Sequence, residues 1–371
     1  MSWPSLKLHD ICRPRQWKTI SASSLLEEGY PVYGANGKIG FYSEYTHELP
    51  TLMITCRGAT CGNVHISEPE SYINGNAMAL DELDCEKVDI RYLYYYLLGR
   101  GFNDVISGSA QPQITGQGLT KVEIPLPPLP EQRRIAAILD KADAIRRKRQ
   151  QAIQLADDFL RAVFLDMFGD PVTNPRGWEV RPLIELIDPD RPITYGILMP
   201  GDDVEGGVPY VRVLDMKDGV ILVDQVRRTT IEIAQQYRRS SLKAGDVLMS
   251  IRGHVGRLAV VPKDLEGANI TQDTARFATN SSCSSLYLFA CLNSRRMQQE
   301  MQRFVKGAAV KGINLSDVKG LKIPIPPIAL QKKMERNVEL ITEALILMER
   351  SSEWSSDGFE SISQKAFSGQ L

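Results

Sequence analysis

The chain of 371 residues is too long for one ordinary hydrophobic core and suits two globular units with connecting segments. Its hydrophobic content of 43% and charged content of 24% are typical of a folded soluble protein, and a formal net charge of −1 argues against indiscriminate coating of nucleic acid. No apolar run approaches the roughly 20 residues that cross a bilayer, and the N-terminus lacks the order of a signal peptide. We therefore expect no membrane segment and a cytoplasmic location.

Cysteine and histidine are too scattered to indicate a disulfide framework or a metal site. The six cysteines include no Cys-x-x-Cys pair, and the four histidines show no ligand spacing. We therefore expect free thiols, no metal ion and no cofactor.

The first globular segment, residues 1–123, is predicted to mix α and β structure. β-type runs at 51–55 and 64–66 are bounded by turn residues, and a short helix is predicted at 90–98. Gly34, Gly37 and Gly40 are spaced like a phosphate-binding loop. The Gly-Lys-Ser/Thr sequence of a P-loop is missing, so a glycine-rich hairpin is the favoured interpretation.

A Pro-rich step and a long helix are predicted at residues 124–168. The prolines at 125, 127, 128 and 130 are not expected to continue a strand ladder, but Pro130 fits the first turn of a helix that begins near Glu131. From Ile135 to Val163, apolar residues recur at three- and four-residue spacing, which is typical of a helix with one partner-facing seam. Gly169 and Pro171 are expected to end the helix.

The second globular segment, residues 169–322, shows the same alternation of strand and helix signals. β-type runs are predicted at 210–213, 246–250 and 258–261, and a helix at 284–304. Residues 323–371 then repeat the Pro-rich step and an apolar seam from Met334 to Ala366. Because both long helices exceed the usual globular length and have matching seams, we expect an antiparallel coiled coil. The alternative is that each helix packs on its own globular half.

The chain contains one internal repeat of nearly half its length. The sequence IPIPP at 323–327 matches IPLPP at 124–128, Phe367 matches Phe168, and the segment that begins at Trp178 matches the one at Trp3. A single long repeat excludes a solenoid, which repeats short units many times. The sequence therefore predicts an α+β protein with two mixed α/β domains, two long helices and a pseudo-two-fold internal repeat.

Polar and basic side chains recur at matching loop positions in both halves. Arg57 and Arg252 each follow a predicted strand and precede a glycine, which lets the backbone approach a surface closely. Arg and Lys grip phosphates or guanine edges, and Asn and Gln pair with adenine. Solvated loop polarity is the alternative for any single residue, and the recurrence favours DNA contact. The candidates are Asn36, Lys38, Arg57, Thr60, Gln111, Gln113, Arg212, Arg252, His254, Arg257, Lys306, Lys311 and Asn314.

No catalytic constellation stands out in the sequence. There is no Asp/Asn-Pro-Pro-aromatic motif and no convincing cofactor loop, which argues against methyl transfer by this chain itself. Asp84, Glu86 and Lys87 have the acidic-x-Lys spacing of some nucleases, but such triplets arise often by chance. We therefore predict no catalytic residues.

At this level of detail the layout resembles the specificity subunits of type I restriction-modification systems. The resemblance covers nearly the whole chain, and its most specific parts are IPLPPLPEQRRIAAILD at 124–140, AFSGQL at 366–371 and RGATCG at 57–62. The second Pro-rich step departs from the family pattern, because it continues IALQKKM where the family usually has Leu-x-Glu-Gln. This departure puts its partner contacts in doubt.

The resemblance implies a non-catalytic subunit that reads double-stranded DNA through two target-recognition domains, 1–123 and 169–322. The segments 124–168 and 323–371 would space them, so that two different half-sites form a bipartite, asymmetric target. Two methyltransferase (modification) subunits would dock on the chain and methylate adenine, and motor-nuclease (restriction) subunits would complete the complex. Partner contacts would come from the helix starts, at Gln132, Arg133, Arg134, Gln331, Lys332 and Lys333.

Two alternatives from other classes remain open on the sequence. The chain could be the recognition fragment of a single-chain restriction enzyme whose methylase and nuclease domains lie on a separate polypeptide or have been lost, and binding of S-adenosylmethionine by the purified chain would favour that interpretation. It could instead be a coiled-coil adaptor that binds only protein. A gel shift with mixed duplexes, with and without a modification subunit, separates the adaptor from a DNA reader.

Overall fold

The computed structural model describes residues 3–35, 37–108, 111–307, 310–351, 356–368 and 370. The chain divides into two compact units, the first formed by residues 1–151 with 349–371 and the second by residues 152–348. Within the described ranges, no helix is both long and apolar enough to cross a membrane. All six cysteines are free, as the sequence predicts.

The elements of the first repeat recur in the same order in the second, which has additional short strands and helices between them. The first repeat contains β1 (Ser5–Lys7), β2 (Arg13–Gln16), β3 (Tyr30–Gly34), β4 (Gly37–Tyr42), β5 (Leu52–Thr55), β6 (Val64–Ile66), β7 (Tyr72–Ile73), β8 (Ala77–Asp81), α1 (Ile90–Arg100), α2 (Gly116–Leu119), β9 (Glu123–Pro125) and α3 (Leu129–Phe168). The second contains β10 (Glu179–Pro182), β11 (Thr194–Tyr195), β12 (Val208–Val211), β13 (Met216–Lys217), β14 (Val220–Ile221), β15 (Arg227–Thr229), α4 (Ile231–Gln236), β16 (Val247–Ser250), β17 (Leu258–Val260), β18 (Asn269–Ile270), β19 (Thr274–Phe277), α5 (Ser285–Asn293), α6 (Arg295–Gln302), α7 (Leu315–Lys319), β20 (Lys322–Ile325), α8 (Ile328–Ser351) and α9 (Ser356–Phe367).

The two units share their sheet topology. A four-stranded antiparallel sheet has the order β2-β8-β5-β6 in the first unit and β11-β19-β16-β17 in the second. A three-stranded sheet, β4-β3-β7 or β15-β12-β18, contains one parallel pair, and β1-β9 or β10-β20 forms a two-stranded ladder. The predicted internal repeat in a mixed α/β protein with a long central helix is therefore confirmed.

The inner strand of each four-stranded sheet is buried on both faces. Leu52 and Ile54 of β5 face the cluster that contains α1 and the start of α3, whereas Met53 faces the three-stranded sheet. In β16, Leu248 likewise faces the second sheet, while its neighbours face the helices. Because side chains alternate along a strand, four consecutive buried residues, three of them apolar, supply both interfaces of a three-layer unit.

A buried glutamine ties the start of the long helix to the first unit. Gln132 is 1% exposed, and its amide nitrogen donates to Lys87 O at 2.9 Å and to Pro127 O at 2.8 Å. Its side-chain oxygen accepts the backbone N–H of Asp89 at 2.9 Å. Asp89 in turn caps α1, because its carboxylate accepts the first free N–H groups of that helix. One amide therefore fixes α1 and α3 relative to each other.

Gln331 repeats this arrangement in the second unit. It is 0% exposed, and its amide nitrogen donates to Pro326 O at 2.7 Å and to Ser282 O at 3.3 Å. Its oxygen accepts the N–H of Ser284, the residue that caps α5, at 2.8 Å. The match between Gln132 and Gln331 in the sequence repeat thus reflects an internal contact.

Each unit also contains an aromatic contact with the end of a long-helix segment. In the first unit Phe367 of α9 meets the ring of Tyr92 edge-on, with 5.6 Å between centroids. In the second unit Phe168 of α3 meets Tyr287 in the same way at 4.9 Å. Both tyrosine hydroxyls donate at 2.6 Å to a proline carbonyl of the Pro-rich step. The core of each unit is therefore completed by a helix end from the other repeat.

Two predictions about local structure need correction, and one is confirmed. The predicted helix at 284–304 is two helices, α5 and α6, because Ser294 is extended and caps α6. Pro125 and Pro324 do lie in ladders, opposite Ser5 and Val180. A two-stranded ladder accepts proline because each strand is an edge and alternate N–H groups point away from the partner. The glycine-rich hairpin is confirmed as β3–β4.

We predict that Gln331→Ala lowers the free energy of unfolding of the second unit by about 2–4 kcal/mol, because it leaves a buried N–H and two carbonyls unpaired. Urea denaturation measures the loss. The matched control is Lys332→Ala, at the exposed neighbouring position, which should stay within about 0.5 kcal/mol of the native chain. Equal stability of the two variants would contradict the structural role of the amide.

Candidate nucleic-acid interface

One end of each four-stranded sheet gathers most of the predicted contact residues. Neighbouring strands are antiparallel, so the exits of β2 and β5 and the entries of β8 and β6 lie at the same end. We call residues 17–20, 56–63 and 74–76 the loop end of the first unit. By the same registers, residues 196–200, 251–257 and 271–273 form the loop end of the second unit.

In the first unit the turn after β5 is fastened to the segment before the Pro-rich step. The Gly58 N–H donates to Pro112 O at 3.2 Å, and the Ile114 N–H donates to Cys56 O at 3.0 Å. Arg57 and Gln113 pair as an isolated bridge between these segments. The exposed side chains of Arg57 and Gln111 are thereby brought to one surface.

The tip of the β3–β4 hairpin lies on the same turn. The hydroxyls of Thr55 and Thr60 both donate to Ala35 O at 3.0 Å. Thr60 therefore uses its hydroxyl hydrogen inside the chain. Lys38, on the hairpin, is 3.1 Å from Glu68 and lies over the ring of Phe41, and Asn36 lies outside the described residues.

The second unit builds the same junction from different residues. The Gly253 N–H donates to Lys311 O at 2.8 Å, and the Ile313 N–H donates to Ile251 O at 2.9 Å. Lys306 and Gly312 close a tight loop through two backbone hydrogen bonds of 2.8 Å. The exposed side chains brought to this surface are Arg252, His254, Lys306 and Lys311.

Two of the predicted arginines make contacts inside the second unit. Arg257 donates through one nitrogen to Val213 O and Met216 O, both at 3.0 Å, and so holds a third loop on the loop end. Arg212 forms a fork with the buried carboxylate of Asp215 at 2.6 and 3.0 Å. These hydrogen bonds to Asp215 raise the pKa of the Arg212 guanidinium. Both arginines therefore organise the surface.

Arg57 and Arg252 differ from that pair because their charged groups point to solvent. The Arg252 guanidinium is 4.0 Å from Asp273, and both side chains are about half exposed. An exposed pair at this distance contributes little to stability. Asn314 is also exposed, and as the N-cap of α7 it makes no side-chain capping hydrogen bond. Exposed cations beside exposed amides suit phosphate and base-edge contacts in DNA.

The structure adds residues that the sequence analysis missed. Lys18 and Asn76 are exposed at the loop end of the first unit, beside the turn after β5. They are held there because Gln16 donates to Cys56 Sγ at 2.9 Å and to Gly75 O at 3.1 Å. A side chain at Gly75 would meet the backbone oxygen of Trp17 at 2.5 Å, so two segments cross closely at this point. In the sequence, Gly75 is the residue that could have indicated this close approach of two segments.

The predicted partner contacts at the helix starts divide into two groups. Gln132 and Gln331 are buried within the chain and present no surface to a partner. Arg133, Lys332 and Lys333 are exposed, and Arg134 forms an ion pair of 2.8 Å with Glu131 one turn earlier. Partner contact thus remains a prediction for these four cations.

Comparisons with known proteins agree with this architecture. The sequence model of the family described as "Type I restriction modification DNA specificity domain" matches residues 2–155 and 175–350. The type I restriction enzyme EcoBI specificity subunit of Escherichia coli is 26% identical across 99% of this chain and 80% of its own length. A putative type I restriction enzyme specificity subunit of Haemophilus influenzae, S.HindORF215P, is 25% identical across 89% of this chain and 86% of its own length.

A solved structure supports the same fold. The crystal structure of the S subunit of a type I restriction-modification system from M. genitalium superposes with a TM-score of 0.65, over 99% of this chain and 96% of that chain. The sequence identity is 16%, so this similarity concerns the fold. Because the family match covers both repeats and most of the residues, the chain belongs to the type I restriction-modification DNA specificity family.

Proposed function

We propose that this chain reads a bipartite, asymmetric DNA sequence, one half-site with each globular unit. The observation that carries the proposal is the loop end. In both units a strand runs into an Arg-Gly turn that is fastened to the segment before the Pro-rich step, and each junction exposes a different set of cations and polar groups. A shared frame with different exposed side chains is what two different half-sites require.

The domain division that supports this proposal follows the sequence repeat. Residues 1–123 and 169–322 serve as target-recognition domains, and the helical segments 124–168 and 323–371 pair antiparallel and set their spacing. Two modification subunits dock on the chain through Arg133, Arg134, Lys332 and Lys333 and methylate adenine. Restriction subunits join the same complex, and the chain itself has no catalytic role.

The proposal is tested by co-purifying the chain with its modification subunit and sequencing the methylome of a host that carries both. We expect one methylated bipartite sequence, and a gel shift of that duplex by the complex in preference to a scrambled one. The purified chain alone should transfer no methyl group and should not cleave DNA. Methyl transfer by the chain alone, or equal affinity for target and scrambled duplexes, would refute the proposal.

We predict that Arg57→Ala and Arg252→Ala each weaken target binding by about 5- to 150-fold, because a cation on a phosphate or guanine edge contributes about 1–3 kcal/mol. Each should relax selection in its own half-site only. Neither change should lower the melting temperature, since both guanidinium groups face solvent.

Arg257→Ala is the matched control for that pair. Its guanidinium holds two backbone carbonyls within the second unit, so this variant should melt earlier. Unchanged DNA binding by Arg252→Ala together with a large loss of stability would show that Arg252 is structural instead.

We predict that shortening both long helices by one heptad changes the unread gap between the half-sites. Deleting Gln150–Ala156 from α3 and Leu345–Ser351 from α8 removes about 10 Å of helix while keeping the seam in phase. That length corresponds to about 3 base pairs at roughly 3.4 Å each. The bases read in each half should stay the same.

Binding selection from a library of gap lengths measures the effect. A single-residue deletion of Gln150 serves as the control, because it rotates the seam and should disturb assembly without defining a new gap. A heptad variant that is folded and partner-bound but selects the original gap would disprove the spacing role.

A further inference from the structure

Large apolar side chains are exposed together at the loop end of the second unit. Met199 is 79% exposed, more than any other large hydrophobic side chain in the described ranges. Leu214 is 70%, Val310 is 64% and Leu198 is 55% exposed. We call Leu198, Met199, Leu214 and Val310 the apolar tips. Single exposed hydrophobic residues are common on protein surfaces, so what needs explanation is four of them on loops at one end of a sheet.

The loop of Leu198 and Met199 is anchored on both sides. The Ile197 N–H donates to Ile270 O at 2.7 Å, and Ile197 O accepts the N–H of Gln272 at 2.9 Å. On the other side, Pro200 O accepts the hydroxyl of Thr229 at 2.6 Å. The backbone is therefore held while both side chains project into solvent.

The other two tips are held in place as firmly. Leu214 lies between Val213 and Met216, whose carbonyls both accept hydrogen bonds of 3.0 Å from Arg257. Val310 lies in the loop closed by Lys306 and Gly312. Hydrogen-bonded backbone thus flanks each tip, as a contact surface requires.

The charges beside Val310 favour a polyanion as the occupant. Val310 is next to Lys311, whose backbone oxygen accepts the N–H of Gly253, and Arg252, His254 and Lys306 are exposed on the same junction. Asp273 lies 4.0 Å from Arg252, and the segment after Met199 carries the exposed Asp202, Asp203 and Glu205, so the cations dominate on the Val310 side of the loop end. Apolar groups among cations match DNA, where base methyl groups and stacked edges lie between two rows of phosphates.

The corresponding positions of the first unit are polar or half-buried. Gln16 pairs with Met78 in the first unit, and Tyr195 pairs with Ala275 at the same place in the second. Counting three and four residues on from Gln16 and Tyr195 aligns Leu198 with Thr19 and Met199 with Ile20. Thr19 is polar and exposed, and Ile20 is half-buried.

Val310 has a polar counterpart. The bridge between Ser107 and Gln113 matches that between Lys306 and Gly312, which aligns Val310 with Gln111.

We propose that the two units read DNA with different chemistry. The second unit uses the apolar tips against the bases of its half-site, and the first unit uses the polar side chains of Thr19 and Gln111 at the places of Leu198 and Val310. This inference rests on the proposed function and deepens it. It gives a physical reason for two half-sites that differ in sequence, since thymine methyl groups and unstacked base faces select apolar contacts while hydrogen-bonding edges select amides and hydroxyls.

The test uses the complex of the chain with the modification subunit, a duplex of the target sequence identified from the methylome, and a scrambled duplex. The variants are Leu198→Ser with Met199→Ser, and Leu214→Ser with Val310→Ser. Because all four side chains are exposed, both variants should fold like the native chain. Each pair should lower target affinity on the order of 10- to 100-fold, because burying such a side chain is worth about one to two factors of ten. Affinity for the scrambled duplex should not change.

Salt dependence separates apolar from ionic contacts. For both serine pairs, the slope of log affinity against log salt should equal that of the native complex, whereas Lys311→Ala should reduce it by about one. Leu49→Ser is the matched control, because Leu49 is 73% exposed next to the entry of β5, at the opposite end of its sheet. It should bind like the native complex.

Three results would overturn the inference. They are native target affinity in both serine pairs, an equal loss on target and scrambled duplexes, and loss of the modification subunit with DNA binding retained, which would make the tips a protein-docking surface. A native complex that shows no target preference at all would instead refute the proposed function, so the two failures are distinguishable.

Discussion

The amide groups of Gln132 and Gln331 determine how each long helix leaves its unit. Each amide makes three hydrogen bonds in a buried site. Its oxygen accepts from the capping residue of the helix beneath, and its nitrogen donates to one carbonyl just before that cap and to one carbonyl of the Pro-rich step. A buried amide that lost one of these partners would carry the full cost of an unpaired polar group, so its geometry is strongly directional. The direction of the helix and the place of the two-stranded ladder beside it follow from that one constraint. The tyrosine hydroxyls on the proline carbonyls reinforce it.

On this common frame the two units differ mainly at one end of a sheet. The inner strands, the caps and the glutamine contacts are nearly interchangeable, and the loops fastened to the Arg-Gly turn are not. Backbone hydrogen bonds perform the fastening, through Gly58 and Pro112 in one unit and Gly253 and Lys311 in the other. Since such bonds do not depend on side-chain identity, the exposed side chains are free to vary without disturbing the junction. This separation lets a stable scaffold carry different recognition surfaces.

Much of this fold can be predicted from the sequence, and there are physical reasons why the rest cannot. The runs of β5 and β16 and the seam of α3 have clear periodicity, so their type and place were predicted within a few residues. Ser294 was missed because a serine between two runs of helix-forming residues has no distinctive pattern. The order of strands depends on contacts between distant segments, and without it Lys18, Asn76 and the apolar tips could not be placed beside Arg57 or Arg252. The sequence also does not show which polar side chains are buried, which is why Gln132 and Gln331 were expected to face a partner.

The aromatic contact between Tyr92 and Phe367 has a consequence for the timing of biosynthesis. The first unit has its sheets and α1 once the ribosome has passed the middle of the message, but Phe359, Ile362 and Phe367 of α9 pack on its core and are added roughly 200 residues later. At roughly 5–20 residues per second, a nascent chain spends about 10–40 s with the α1 tyrosines uncovered. The second unit receives its counterpart, Phe168, before its own sheets are made. The unit translated first is therefore the last to be completed. If a ribosome stalls late in the message, the tyrosines of α1 stay exposed to chaperones and proteases.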